Sequence, residues 1–186
     1  MALISSRRHA HDAEATGSTA PANTGGTVFG YVVAALRLSL GWVFLWAFLD
    51  KLFGLGHETT SEQAWVNGGS PTKGFLANAS AGPFEDMYHD IAGDAWADWL
   101  FMIGLAGIGV ALIAGVTMRI AATAGAVLLV LMWTAVLPPE NNPFMDDHLI
   151  YALVLVALAL IKAGHVLGLG AAWERLPLVQ RYPILR

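Results

Sequence analysis

Four stretches of this chain approach or reach the length of a lipid-spanning helix and carry almost no charge: Val28 to Leu49, Trp99 to Val116, Ile120 to Leu137 and Leu149 to Leu169. About 20 apolar residues are needed for a helix to cross about 30 Å of hydrocarbon. In lipid, backbone polar groups must be satisfied within the segment, so runs of this length form helices rather than open strands. The sequence therefore predicts an all-α membrane protein, a four-helix transmembrane bundle with the lipid bilayer as its first partner. A composition of 56% hydrophobic and 13% charged residues fits that class and not a soluble domain.

The same composition excludes several functions. The chain has no cysteine, so it holds no disulfide, thiolate metal site, iron–sulfur cluster or thiol relay of its own. Any electron it handles must come and go on a diffusible or partner-borne cofactor. The net charge is −4 and the basic residues form no stripe able to track phosphates, which removes nucleic acid as a partner.

Residues 1–27 are small, polar and poor in large apolar side chains, and read as a disordered tail. Ser6-Arg7-Arg8 faintly resembles a twin-arginine signal, but the next apolar run starts some twenty residues later and is too long for a signal core. Residues 28–170 form the membrane domain, with an outer segment at 55–95, and 171–186 read as a second tail. Arg7, Arg8, Arg119, Arg175, Arg181 and Arg186, with Lys162 close by, fall on one side of the four spans, against Lys51 and Lys73 on the other. Positive charge accumulates on the cytoplasmic side, so a multi-pass protein of the cell membrane with both termini cytoplasmic is expected, its outer segments being His57 to Asp98 and Pro138 to His148. Trp96, Trp99 and Trp173 near span ends suit interfacial anchoring.

Within the long outer segment, Pro83 suits a first helical turn, and Phe84, Met87, Tyr88 and Ile91 follow at helical spacing opposite Glu85, Asp86, His89 and Asp90. This predicts a short amphipathic helix lying on the membrane or on the bundle mouth. Asn67-Gly68-Gly69-Ser70-Pro71 is a turn cluster. Gly107, Ala111 and Gly115 on the second span, and Ala121 and Gly125 on the third, are expected to let helices approach closely.

A charge within a span must face protein or water. Arg37, Gly41, Phe44, Phe48 and Lys51 share one face of the first helix, with the two cations about 21 Å apart along the axis. Arg37 either pairs structurally or lines a polar cavity or quinone site. Asp50 sits at a helix C-terminus, where the dipole disfavours an acid, so it is either solvated, paired with Lys73 or functional. Asp146 and Asp147 before the fourth span, and Asp94 and Asp98 at the start of the second, read as helix caps first. Eleven of the fourteen acids lie on the outer side beside only Lys51 and Lys73, so an anion would have to be bound locally rather than steered. His57, His89 and His148 lie there too. His148 with Asp147, or His89 with Asp90, is either a histidine–carboxylate pair of the kind that relays protons or a set of unconnected surface residues, and the spacing matches no metal motif, so no bound metal is predicted.

Trp65-Val66-Asn67-Gly68-Gly69-Ser70-Pro71-Thr72-Lys73-Gly74-Phe75-Leu76 followed by Gly82-Pro83-Phe84 resembles the outer segment of the DoxD-type subunit of thiosulfate:quinone oxidoreductase. Arg37, Gly41, Lys51 and Gly54, and Asn142-Pro143-Phe144-Met145-Asp146-Asp147-His148 with Tyr151, resemble it as well. The likeness runs in order over about residues 30–170 and extends more loosely to the DoxX family. It implies a membrane enzyme that joins two thiosulfate ions into tetrathionate and passes the electrons to a diffusible membrane quinone. A second redox subunit, DoxA-like or other, goes with that activity, and self-association is left open. No DoxA-like region is present in the sequence. From chemistry and position, Asp147, His148 and His89 are the candidates for proton handling, and Arg37, Lys51, Lys73, Trp65 and Asn67 for substrate or quinone contacts. The rival expectation is a non-catalytic membrane anchor or assembly subunit for a soluble redox partner.

Overall fold

The computed structural model describes residues 24–186, and among them every regular element is helical. In chain order these are α1 (Thr24–Phe53), α2 (Lys73–Asn78), α3 (Glu85–Asp90), α4 (Ala95–Ala114), α5 (Met118–Ala135), α6 (Asp147–Leu160), α7 (Gly170–Trp173) and α8 (Pro177–Arg181), with short 3-10 turns between them. Three helices are long and apolar enough to cross a membrane: Gly26–Phe53 within α1, α4 and α5. The tail expected at 1–27 falls on residues outside those described, apart from its last four, which already belong to α1.

The four long helices pack in sequence, α1 on α4, α4 on α5 and α5 on α6, with a lighter closing contact between α6 and α1. Their core joins Val33, Leu40 and Phe44 of α1 to Leu105, Ile108 and Leu112 of α4, Ala122 and Leu129 of α5, and Leu155 and Leu158 of α6. Outward-facing Val32, Trp42, Leu100, Ile103, Val127, Leu131, Leu153 and Val156 are exposed and apolar, which suits helices solvated by lipid. The expected inward face of α1 is seen: Arg37, Gly41 and Phe44 are buried and Phe48 and Lys51 half-buried.

Two expectations about the helices are corrected. The fourth apolar stretch was expected to be helical from Leu149 to Leu169, but α6 ends at Leu160 and Lys162 turns to φ +53°. Its 14 residues reach about 21 Å, less than the hydrocarbon thickness. The close approach of α4 does not use Gly107, around which a Cβ would meet nothing within 4 Å. It uses Gly109, where a Cβ would lie 2.8 Å from the Leu45 amide nitrogen, and Gly41 opposite Ile113. On α5, Gly125 does serve as expected, seated against Leu155.

The bundle has two unlike ends. Residues 54–94 and 136–146 cover the end where α1 finishes and α4 begins, called here the long-loop end. Residues 161–186, of which 171–186 were expected to be a tail, fold back over the opposite, C-terminal end: Val179 is fully buried, the Trp173 indole donates to the Leu185 carbonyl at 2.6 Å, and the Arg119 amide donates to the Arg186 carbonyl at 3.3 Å.

Candidate functional site

The long-loop end is organised by two buried carboxylates. Asp50, 2% exposed, accepts backbone N–H bonds from His57, Glu58 and Thr59 at 3.3, 3.0 and 2.9 Å. The reversal that brings those amides back over the helix end occurs at Gly54, φ +65°, where a Cβ would lie 2.5 Å from the Thr60 carbonyl oxygen, so only glycine fits. Asp50 is thus neither solvated nor paired with Lys73. An acid at a helix C-terminus is tolerated here because folded-back amides replace its lost solvation.

Asp98, in the first turn of α4 and 5% exposed, does the same for the next segment. One of its oxygens accepts the Ser70 hydroxyl at 2.9 Å, the Thr72 amide at 2.9 Å and the Thr72 hydroxyl at 2.6 Å. The expected turn at 67–71 is present, with Gly68 at φ +88° and Gly69 so close to Gln63 that a Cβ would fall 1.9 Å from its carbonyl oxygen. Asp94 occupies the N-cap position of α4 but turns its side chain to the Trp96 indole, at 3.0 Å, so it does not cap the helix.

Between these two anchored segments lies a cleft of about 670 Å³, lined by Lys51 of α1, Glu58, Thr59, Glu62 and Gln63, Gly68 to Pro71, and Lys73 to Phe75 and Asn78 of α2. Two of the cations singled out in the sequence therefore share one cavity. Lys51 Nζ lies 3.5 Å from the Glu58 carboxylate, which is 81% exposed, whereas Lys73 makes no ion pair within 4 Å among the described residues. Trp65 and Asn67 do not line the cleft but brace its rim: Trp65 stacks edge-on against Trp99 at 4.6 Å, and Asn67 Nδ2 donates to the Ser61 carbonyl at 2.7 Å.

The remaining candidates sit apart. Asp146 caps α6 as expected, accepting the Leu149 amide at 3.2 Å, and also takes His148 Nδ1 at 2.7 Å, closer than Asp147 at 3.5 Å. The three side chains place one ligand atom each within 4.8 Å of one another, a donor set able to hold a metal ion that no sequence spacing revealed. His89 is exposed and makes no ion pair with Asp90. The amphipathic helix expected from Pro83 onward is there as a 3-10 turn followed by α3, and it rests on the bundle through Tyr88, whose hydroxyl meets the Leu131 carbonyl at 3.0 Å and the Thr134 hydroxyl at 2.6 Å.

Arg37 belongs to the C-terminal end. It is fully buried and its guanidinium donates to four backbone carbonyls: Leu112, Ile113 at 2.8 Å, Val166 at 3.2 Å and Leu167 at 2.9 Å. Only its Nε lacks a partner. Glycines make this possible, because a Cβ at Gly115 or Gly168 would lie 3.2 or 3.1 Å from the guanidinium nitrogens. The planar fork thereby ties the last turn of α4 to the segment after α6. No family model, curated protein or solved structure matches this chain.

Proposed function

We propose that this chain is the membrane subunit of a quinone-linked oxidoreductase of the DoxD type, with its substrate cleft at the long-loop end. The observation that carries the reading is the convergence of Lys51 and Lys73, from separate helices, on one cleft of about 670 Å³. In this reading both termini are cytoplasmic in the cell membrane, α6 makes a fourth, short crossing that ends near Lys162, and the cleft faces outward.

The chemistry asked of the site is balanced without a resident cofactor. Two thiosulfate dianions each give up one electron as a sulfur–sulfur bond forms, and the two electrons with two protons convert a quinone to its quinol. Bringing two dianions together is opposed by their mutual repulsion, which is what cations in a partly closed cleft offset. In this reading Lys73, which is ion-paired to no described residue, makes the first contact with the anions, while Lys51 is shared with Glu58 and the exposed Glu58 and Glu62 of the same cleft face solvent. His148 with Asp146 and Asp147, at the start of α6 and outside the cleft, is the proton-handling group in this reading.

The test is thiosulfate-dependent reduction of a soluble quinone by the purified chain in detergent, with tetrathionate assayed in parallel. Turnover that falls at least tenfold in Lys73→Ala supports the reading; turnover unchanged by both Lys73→Ala and Lys51→Ala removes the cleft from it. One observation favours a second reading, a membrane anchor for a soluble redox partner. Glu58, Glu62, Glu85, Asp86 and Asp90 are all exposed at the same end and would complement a cationic protein surface. Retention of a stoichiometric soluble redox protein, with no turnover by the chain alone, selects that reading.

A further inference from the structure

A second cavity, of about 150 Å³, opens at the C-terminal end between the start of α5, the end of α6 and α7. Arg119, Lys162, His165 and Arg186 line it, with Glu174 as its single acid and Met118, Ala159 and Leu160 as its apolar wall. The acid is already engaged, by His165 Nε2 at 3.1 Å and Lys162 Nζ at 3.8 Å. The guanidinium of Arg119 has one long bond, to the Pro183 carbonyl at 3.5 Å, and that of Arg186 makes no ion pair within 4 Å among the described residues. The cavity therefore keeps excess positive charge around a space large enough for one tetrahedral anion.

The surroundings indicate where that anion comes from. Leu160 beside the cavity is 79% exposed, and on the folded-back segment Leu178 and Ile184 are 58% and 67% exposed. Basic Arg175 and Arg181 lie among these residues, and Trp173 and Tyr182 with them. Exposed apolar side chains mixed with Arg and aromatic rings belong at a membrane–water interface, not in bulk water. Basic pockets at that depth bind the headgroups of anionic lipids.

We propose that this cavity seats the phosphate of an anionic phospholipid headgroup on Arg119, Lys162 and Arg186, with the acyl chains running down the exposed side of Leu160. The inference rests on the membrane character of the helices and not on the redox reading. A free inorganic phosphate shares the recognition chemistry but gains nothing from the apolar wall.

The full chain in neutral detergent is titrated with phosphatidylglycerol, phosphatidylcholine or inorganic phosphate, followed by native mass spectrometry for adducts and by thermal midpoint. A one-to-one phosphatidylglycerol adduct, at least tenfold tighter than phosphatidylcholine and with a raised midpoint, is expected. The double variant R119Q/K162Q is expected to lose that preference, whereas Arg181→Gln, which removes charge from the same end outside the cavity, changes it less than twofold. Equal loss in both variants, equal binding of the two lipids, or protection by inorganic phosphate without lipid would overturn the proposal. The comparison of the two lipids on the unmodified chain decides the matter even where a variant does not fold, and quinone turnover is read separately.

Discussion

The carboxylate of Asp50, at the end of α1, accepts the backbone amide of Thr59 nine residues further on, at 2.9 Å. Together with the His57 and Glu58 amides this makes Asp50 the fixed point from which the long loop departs. Hydrogen bonds to a buried charge are worth about 1.5–3 kcal/mol each, and losing the acceptor leaves the amides unmet. Asp50→Ala is expected to lower the thermal midpoint of the detergent-solubilised chain by several degrees, and Asp50→Asn by less. Equal midpoints for both variants and the unmodified chain would show that the loop is held some other way.

Arg37→Lys keeps the charge but not the fork that reaches four carbonyls. It is expected to cost about 3 kcal/mol or more, since several buried carbonyls lose their donors together. Gly168→Ala, whose Cβ would lie 2.4 Å from the Gly164 carbonyl oxygen, should weaken the same junction. Protease sensitivity of the 161–170 segment measures both.

Packing between α1 and α4 gives a paired contrast on neighbouring glycines. Gly109→Ala puts a methyl group 2.8 Å from a backbone nitrogen of α1 and is expected to destabilise by about 1–3 kcal/mol. Gly107→Ala meets nothing and is expected to leave the midpoint unchanged or to raise it slightly through helix propensity. Two variants with the same loss would mean that the helices cross elsewhere.

Glu174 sets an acid limit on the C-terminal end. Burial alone would raise its pKa, but the His165 hydrogen bond and the charges of His165, Lys162 and Arg186 outweigh it and hold the carboxyl below its ordinary 4.5. A lowered folded-state pKa contributes stability that is fully present above 4.5 and is lost as pH falls through the folded value. Docking of residues 161–186 should therefore loosen below about pH 4.5 in the unmodified chain, and Glu174→Gln should flatten that dependence. Trp173 fluorescence, read against pH in a chain lacking the other tryptophans, follows it.

What the sequence made legible, and what it did not, divides along physical lines. The inward stripe from Arg37 through Gly41 and Phe44 was readable because a charge in an apolar run must face protein and helical period does the rest. The end of α6 was not, because residues 161–169 stay apolar enough to continue the helix on hydropathy alone. The break serves a tertiary contact that hydropathy does not encode: past Lys162, at φ +53°, the non-helical backbone presents the Val166 and Leu167 carbonyls to Arg37. Lys51 and Lys73 were each identifiable, but their meeting depends on the Gly54 reversal and on Asp98 holding Thr72 across 26 positions. Neither leaves a periodic signal. The Asp50 anchor had a clue in its unfavourable position at a helix C-terminus, and its amide partners lay within nine residues.

The carbonyl cradle of Arg37 also imposes an order of events in time. Leu112 and Ile113 are made 75 and 76 residues after Arg37, and Val166 and Leu167 only 129 and 130 residues after it. At about 5–20 residues per second of synthesis, the guanidinium waits roughly 6–26 s for its last acceptors. During that interval the charge on α1 lacks its last two acceptors, and its N-terminal half is expected to stay near water until the final segment arrives. The first helix to emerge is therefore among the last to settle, and a chain truncated after Leu160 should leave α1 open to labelling at Arg37's neighbours where the full chain protects them.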